Sequence, residues 1–218
     1  MKNEIIKEPL TESQIKEAIN VLTKWFPEEA NSINSKEELI IENIINGSIE
    51  TSSLLTQQEY SFSEKEELLG FPKITPCEEA IALVVFDVIM FIFGLVGLHV
   101  SNQEKLNRAL IRELGPDTLR GFASAVHNFS EANGKIAKAT ALFKLMAGIS
   151  NAGGFKTAFK VVKKEMSWWK WVKTGIIAIV QITAWFATDG VAFIAEAALS
   201  IMSAEQLIED SVKVKKIC

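Results

Sequence analysis

The sequence contains few of the residues and motifs from which catalytic or metal sites are built. Its two histidines, His99 and His127, lie neither at metal-ligand spacing nor beside a nucleophile. It has no GxxxxGK[ST] or GxGxxG loop, no CxxC pair and no GxSxG elbow. We therefore predict that the protein is not an enzyme and that it uses no cofactor and no metal ion.

Cysteine is too scarce for a secreted fold built on disulfides. Cys77 and Cys218 are 141 positions apart, and we interpret them as two free thiols, with a single disulfide as the alternative. The first ten residues, MKNEIIKEPL, have no apolar h-region, so we expect no secretory signal peptide. The expected location is a membrane reached from inside the cell, with a soluble form in the cytoplasm.

Strand patterns are missing too, whereas helix signals recur along the chain. Serine, glycine and proline are not enriched, which argues against long disordered segments. Thr11-Glu-Ser-Gln14 and Thr75-Pro-Cys-Glu78 are capping-box sequences, and Gly115-Pro116 is typical of a helix end. We predict an all-α bundle of about eight helices, with a long central hydrophobic helix and a C-terminal hydrophobic helical hairpin.

Charge is distributed unevenly along the chain. Residues 1–79 carry 16 glutamates and 7 lysines, whereas residues 134–173 carry 9 lysines and one glutamate. Prolines at 72 and 76 indicate a linker. We predict an acidic N-terminal helical region, 1–70, with short helices after Thr11, Ser35 and Ser63, followed by a hydrophobic helical module, 76–218.

One apolar run is long enough to cross a bilayer as a helix. Ala80–Val100 (AIALVVFDVIMFIFGLVGLHV) has 21 residues and a single charge, Asp87. At about 1.5 Å per residue it matches the ~30 Å hydrocarbon core. Its 14 Leu, Ile, Val and Phe residues outweigh the roughly 3 kcal/mol that a central aspartate costs on insertion. The alternative is the buried helix of a soluble bundle, which requires a partner for Asp87.

A basic aromatic segment, 155–173, is typical of a membrane interface. Its first part places phenylalanines on one side of a helix and lysines on the other, and tryptophans alternate with lysines in its second part. Packing of the same apolar side on a soluble core is the alternative. The predicted interface residues are Phe155, Phe159, Lys160, Lys163, Lys164, Trp168, Trp169, Lys170, Trp171 and Lys173.

A second apolar stretch, 174–203, reads as a helical hairpin. We predict helices over Thr174–Ala187 and Gly190–Ser203, with Asp189 as the N-cap of the second. Asp189 and Glu196 share a helix face and, with Asp87, form the set of intramembrane or buried carboxylates that suit proton transfer or acid-triggered insertion. The alternative is a helix cap and one paired core glutamate.

Together these features favour a membrane-active, all-helical protein, pore-forming and similar in action to a toxin or effector. Its predicted partners are anionic lipid and further copies of itself, and the acidic overall charge argues against nucleic acid. The first alternative is a soluble helical bundle that acts as an interaction or regulatory module. A helical enzyme or ligand carrier that uses the carboxylates in a cavity is a more distant one.

Overall fold

The computed structural model describes residues 10–46, 72–97, 103–164 and 166–218. Within these ranges every regular element is helical and no residue belongs to a strand, which confirms the all-α class. The described residues form eleven α-helices: α1 (Glu12–Trp25), α2 (Ala30–Asn34), α3 (Glu37–Ile45), α4 (Pro76–Leu95), α5 (Gln103–Gly121), α6 (Ala123–Glu131), α7 (Lys135–Asn151), α8 (Gly154–Lys163), α9 (Trp168–Ala187), α10 (Val191–Ser200) and α11 (Glu205–Ile217).

The helix count exceeds the predicted eight or so. Short 3-10 turns at Pro27–Glu29 and Ile201–Ser203 separate helices, and the C-terminal helix α11 was not predicted. α5 is interrupted at Gly115 (φ 71°, ψ 166°), where Gly115-Pro116 predicted a helix end. The helix expected after Ser63 lies outside the described residues.

The capping boxes predicted at Thr11 and Thr75 are present. The Thr11 hydroxyl accepts a bond from the Gln14 N–H, and the Gln14 side chain accepts one from the Thr11 N–H. Thr75 and Glu78 make the same pair of bonds at the start of α4, with Pro76 in the first turn. These bonds satisfy N–H groups that the first helical turn would otherwise leave unpaired, so both helix starts follow from local sequence.

The described helices fall into two compact units. One contains α1, α2, α3 and the segment Ser167–Thr183, which includes most of α9, and the other contains the remaining helical residues. In the first unit, Leu22 of α1 lies 3.3 Å from the place where a β-carbon on Gly175 of α9 would stand. These units group the chain differently from the predicted boundary at 70–76.

In the second unit, α4 packs against α5 and α11 and also contacts α6 and α7. The predicted apolar run begins within α4 at Ala80, and α4 ends at Leu95; residues 98–100 lie outside the described ranges. Eight α4 side chains are completely shielded from solvent: Ile81, Ala82, Val84, Val85, Val88, Ile89, Ile92 and Phe93.

The apolar stretch 174–203 bends at the predicted position, though by a different local geometry. α9 and the segment Val191–Ser203 meet at 114° around Thr188-Asp189-Gly190. Asp189 was predicted as an N-cap; instead Gly190 holds the N-cap position and the Thr188 hydroxyl accepts from the Ala192 N–H at 3.3 Å. The reason is the sharp turn: Asp189 and Gly190 both have positive φ, and the Asp189 side chain is exposed.

The turn at Gly190 generates a prediction about stability. A β-carbon there would stand 2.6 Å from the Phe143 ring, which also packs against Phe186 and Phe193. Gly190→Ala should lower the free energy of unfolding by roughly 2–5 kcal/mol, the sum of left-handed strain and overpacking. Urea denaturation followed by circular dichroism measures this loss.

The matched control is Gly153→Ala. Gly153 has a similar backbone conformation (φ 79°, ψ 13°), and a β-carbon there would meet no atom within 4 Å. It should therefore lose only the strain contribution, about 1–2 kcal/mol. Equal losses in the two variants would show that the Phe143 contact does not constrain the turn.

Candidate functional site

The predicted basic aromatic segment does not form one helix. α8 ends at Lys163 and α9 begins at Trp168, and residues from Ser167 onward belong to the first unit. Phe155 to Lys164 therefore lie in the second unit, whereas Trp168 to Lys173 lie in the first.

In the second unit, α8 buries its phenylalanines and exposes lysines. Phe155 and Phe159 are buried, and the Phe159 ring packs 5.3 Å from that of Phe93 on α4. Lys160 and Lys164 are exposed and line a cleft of about 210 Å³ with Arg112 of α5. The Lys160 ammonium lies 3.6 Å from the Glu113 carboxylate, which also lines the cleft. α8 therefore presents a mainly cationic outer surface in the folded state.

In the first unit, one tryptophan of the predicted segment is buried and two are half-buried. Trp171 is buried, with its ring edge-on to Phe26 at 5.0 Å. Trp168 is half-buried and donates its indole N–H to Glu29 at 3.0 Å. Lys170 is exposed, whereas burial lowers the pKa of Lys173. The folded state thus uses much of the predicted aromatic belt as core.

The largest exposed apolar side chains of the second unit include those on the outer face of α10. Val191 and Leu199 are 69% and 71% exposed, and Met202 in the following turn is 49% exposed. Ala195 is exposed between them, and spacings of three or four residues place all four on one side. We call this surface the α10 face. Sequence periodicity indicated that the segment is apolar, but it did not indicate which side is uncovered.

The opposite side of α10 is packed. Phe193 is buried, with its ring edge-on to Trp185 at 5.0 Å. Glu196, predicted as an intramembrane or buried carboxylate, is half-buried and accepts the Trp185 indole N–H at 3.2 Å. Trp185 precedes Glu196 by 11 residues in the chain. Glu196 is therefore a core glutamate with a partner, as in the alternative interpretation. Asp189, the second predicted carboxylate, is exposed.

Asp87, the third predicted carboxylate, faces the unpredicted helix α11. Burial, followed by the hydrogen bond and the negative charge of Asp210, raises the pKa of Asp87 to about 7, and Lys213 opposes the rise. Asp210 is buried too, yet bonds from Lys213 (2.6 Å) and Gln206 (2.7 Å) hold its pKa below the ordinary value. Below about pH 7 the two carboxyl groups therefore carry about one negative charge between them, and Asp87 gains a second charge as the pH rises through 7.

A disulfide joins the first turn of α4 to the end of α11. Cys77 and Cys218 were interpreted as free thiols, and this is wrong: they are bonded, with their Cα atoms 5.1 Å apart. No local sequence signal indicated the pairing, because α11 brings Cys218 back across 141 residues. Leu207, Asp210 and Val214 are buried on one side of α11. Their spacing of three and four residues is the sequence pattern from which this helix could have been predicted.

No single helix in the described ranges is both long and apolar enough to cross a membrane. Within those ranges, one pair of helical segments, α9 and Val191–Ser203, is long and apolar enough when the two are taken together, and the pair is bent by 114°. In the same residues, no group of three or more His, Cys, Asp or Glu side chains is arranged to hold a metal ion. The chain matches none of the family models, curated proteins or solved structures with which it was compared.

The disulfide generates a prediction about stability. Because it closes a loop of 141 residues, its reduction should lower the free energy of unfolding by about 3–5 kcal/mol. Urea denaturation with and without dithiothreitol measures this change. The Cys77→Ser/Cys218→Ser variant is the control: it should match the reduced protein and be insensitive to dithiothreitol. An unchanged midpoint on full reduction would contradict the prediction.

The Asp87–Asp210 pair generates a prediction about pH. Because the folded state raises the pKa of Asp87 to about 7, its contribution to stability is largest below about pH 4 and falls as the pH rises to 7. Asp87→Asn should remove that fall. Relative to wild type, the variant should gain about 2 kcal/mol in free energy of unfolding between pH 4.5 and pH 8, after allowance for the partial exposure of Asp87.

Urea denaturation at both pH values tests this gain. Asp189→Asn removes an exposed aspartate and controls for the change in net charge. A difference between Asp87→Asn and wild type that is the same at both pH values would show that the carboxyl pair does not share a proton.

Proposed function

We propose that this protein is membrane-active: the folded form contacts anionic lipid, then opens so that its apolar helices enter the bilayer. The observation that carries the proposal is the α10 face, where Val191 and Leu199 are each about 70% exposed on a side without charge. Contact with a bilayer interface removes such side chains from water. A helix that lies in the interface plane needs an apolar side of this kind.

The lysines of α8 supply a second attraction. Each basic residue near an anionic surface contributes about 1 kcal/mol, and each fully buried Val, Leu or Met contributes about 1.5–3 kcal/mol. Partial burial of three such side chains with several lysines gives a reversible attachment of several kcal/mol. The predicted interface therefore acts first through its exposed lysines, since Phe155 and Phe159 are buried until the fold opens.

Insertion of α4 requires α11 to move, because α11 packs along α4 and is bonded to its first turn. Insertion also favours a neutral Asp87, since a charged aspartate at mid-bilayer costs roughly 3 kcal/mol. In the folded form, the raised pKa of Asp87 supplies the neutral form below about pH 7. We therefore propose that the protein inserts only after α11 has moved and Asp87 is neutral. Several copies would be needed to surround a pore.

The disulfide bears on the proposed location. Disulfides persist in oxidising compartments and are rare in the reducing cytosol. We propose that the protein meets its target membrane from an oxidising side, in place of the cytoplasmic location expected from the sequence.

The second candidate function is a helical interaction module without membrane activity. The internal pairing of Asp87 with Asp210 favours it, because that alternative required a partner for Asp87 inside the bundle. Burial of Phe155, Phe159 and Trp171 is consistent with it too. In this case the α10 face would be covered by a protein partner.

Flotation with liposomes tests the proposed contact. Purified protein should float with phosphatidylglycerol vesicles and much less with phosphatidylcholine vesicles. Val191→Asp/Leu199→Asp should reduce the floated fraction at least tenfold, because two charges replace the side chains that enter the interface. Leu39→Asp is the matched control: Leu39 is 47% exposed on α3, so the same kind of change should leave flotation nearly unaffected.

Dye leakage from the same vesicles tests the insertion step. Phe91→Asp adds a charge to α4 and should abolish leakage while leaving flotation intact. Leakage unaffected by Phe91→Asp would contradict insertion of α4. A monodisperse, folded protein that remains at the bottom of the gradient with every lipid would reject the membrane proposal and favour the interaction module.

A further inference from the structure

Two tryptophans of the first unit form a corner around a lysine ammonium. The Lys36 Nζ atom lies 4.5 Å from the centre of the Trp168 ring and 5.9 Å from that of Trp169. The two rings are 5.1 Å apart and nearly perpendicular, at 86°. Both distances fall within the ~6 Å range over which an aromatic face attracts a cation.

Each part of this corner is held by the fold. Trp168 and Trp169 are consecutive residues at the start of α9, and the Trp168 indole N–H donates to Glu29 at 3.0 Å. That bond fixes the ring orientation and places a carboxylate at its edge. Two indole walls with a neighbouring carboxylate are the chemistry by which proteins recognise quaternary ammonium groups.

Lys36 is held differently from an ordinary surface lysine. It directly precedes Glu37 and Glu38, yet within the described part of the chain no salt bridge involves its ammonium. Lys36 is exposed, and both tryptophans are half-buried, so solvent reaches the corner. A solute cation can therefore replace the ammonium without opening the core.

We propose that Trp168, Trp169 and Glu29 form a binding site for a quaternary ammonium group, with Lys36 as an internal competitor. A trimethylammonium group is less strongly hydrated than a primary ammonium, so it loses less on leaving water for the indole faces. Lys36 competes because the chain holds it in place, which weakens the apparent affinity of any added cation. The ligand would carry the trimethylammonium group of choline, either in a lipid headgroup or in a free small molecule.

This site deepens the proposed membrane function where the source is phosphatidylcholine, but it does not depend on that function. Binding to a small cation in solution requires no bilayer. A protein that never floats with vesicles can still hold tetramethylammonium at this corner, so the two proposals fail separately.

The test is a titration of the full chain with tetramethylammonium chloride, against sodium chloride at equal ionic strength. Indole N–H signals in 1H–15N spectra report binding, and loss of a signal in Trp168→Leu and Trp169→Leu assigns the two walls. In wild type these two signals should shift saturably. In Lys36→Ala the dissociation constant should fall about fivefold, because about 1 kcal/mol of competing cation–π attraction is removed.

Lys16→Ala is the matched control. Lys16 lies in the same unit and pairs with Glu12 at 2.7 Å, so its removal should leave the dissociation constant unchanged. Trp168→Leu should abolish binding while far-UV circular dichroism stays the same. If Lys36→Ala is poorly folded, Lys36→Gln gives the same comparison with a longer side chain.

The absence of a saturable shift in folded Lys36→Ala would overturn the proposal, and so would equal dissociation constants in Lys36→Ala and Lys16→Ala. Two further titrations identify the source. Tighter binding of Lys36→Ala than of wild type to phosphatidylcholine vesicles assigns a lipid headgroup. The same gain with phosphocholine alone, and none with vesicles, assigns a free ligand.

Discussion

The packing of α11 along α4 is the contact on which the second unit depends. α4 is apolar around nearly its whole circumference, and eight of its side chains are completely shielded from solvent. α11 is amphipathic: Leu207 and Val214 face inward, while lysines and glutamates face outward. The two helices are antiparallel, because Cys218 meets Cys77 while Asp210 meets Asp87 farther along α4. α11 thus covers one side of the apolar helix α4 and exposes its own charged side to water.

The features that suit lipid in this chain are the same features that build its core. Phe155, Phe159 and Trp171 fill the interior, and Trp185 packs against Phe193. Aromatic and aliphatic side chains lose contact with water in either environment, so composition alone does not distinguish the two. What distinguishes them is the outward side of each helix. In the folded state that side carries lysines on α8 and apolar residues on α10.

The sequence predicted the parts of the fold that are determined locally. Thr11 and Thr75 start helices because a cap and its partner lie three residues apart, and Gly115 and Gly190 interrupt helices because of their own backbone conformations. The pairing of Cys77 with Cys218, and of Asp87 with Asp210, joins residues more than a hundred positions apart. No local spacing encodes such a pair, so both depend on knowing where α11 packs.

The same limit applied to the candidate site. Helical periodicity separated phenylalanines from lysines in α8, and the structure places them on opposite sides as expected. Periodicity did not indicate that the segment divides between two units at Ser167, nor that Lys36 lies over Trp168. The division at Ser167 and the position of Lys36 both follow from the packing of α9 with α1–α3. This packing is a tertiary contact, which helical periodicity does not encode.

The Cys77–Cys218 bond also changes the covalent topology of the molecule. Everything from residue 77 to residue 218 forms one closed ring, from which residues 1–76 extend as a single open branch. A protease that cuts one peptide bond inside the ring, for example beside Gly153-Gly154, opens it without releasing a fragment. A cut in the branch removes the covalent link between the acidic segment and the ring, so that only the packing of α1–α3 with α9 still holds the segment in place. The oxidised protein is thus able to lose its N-terminal part while its helical ring remains a single molecule.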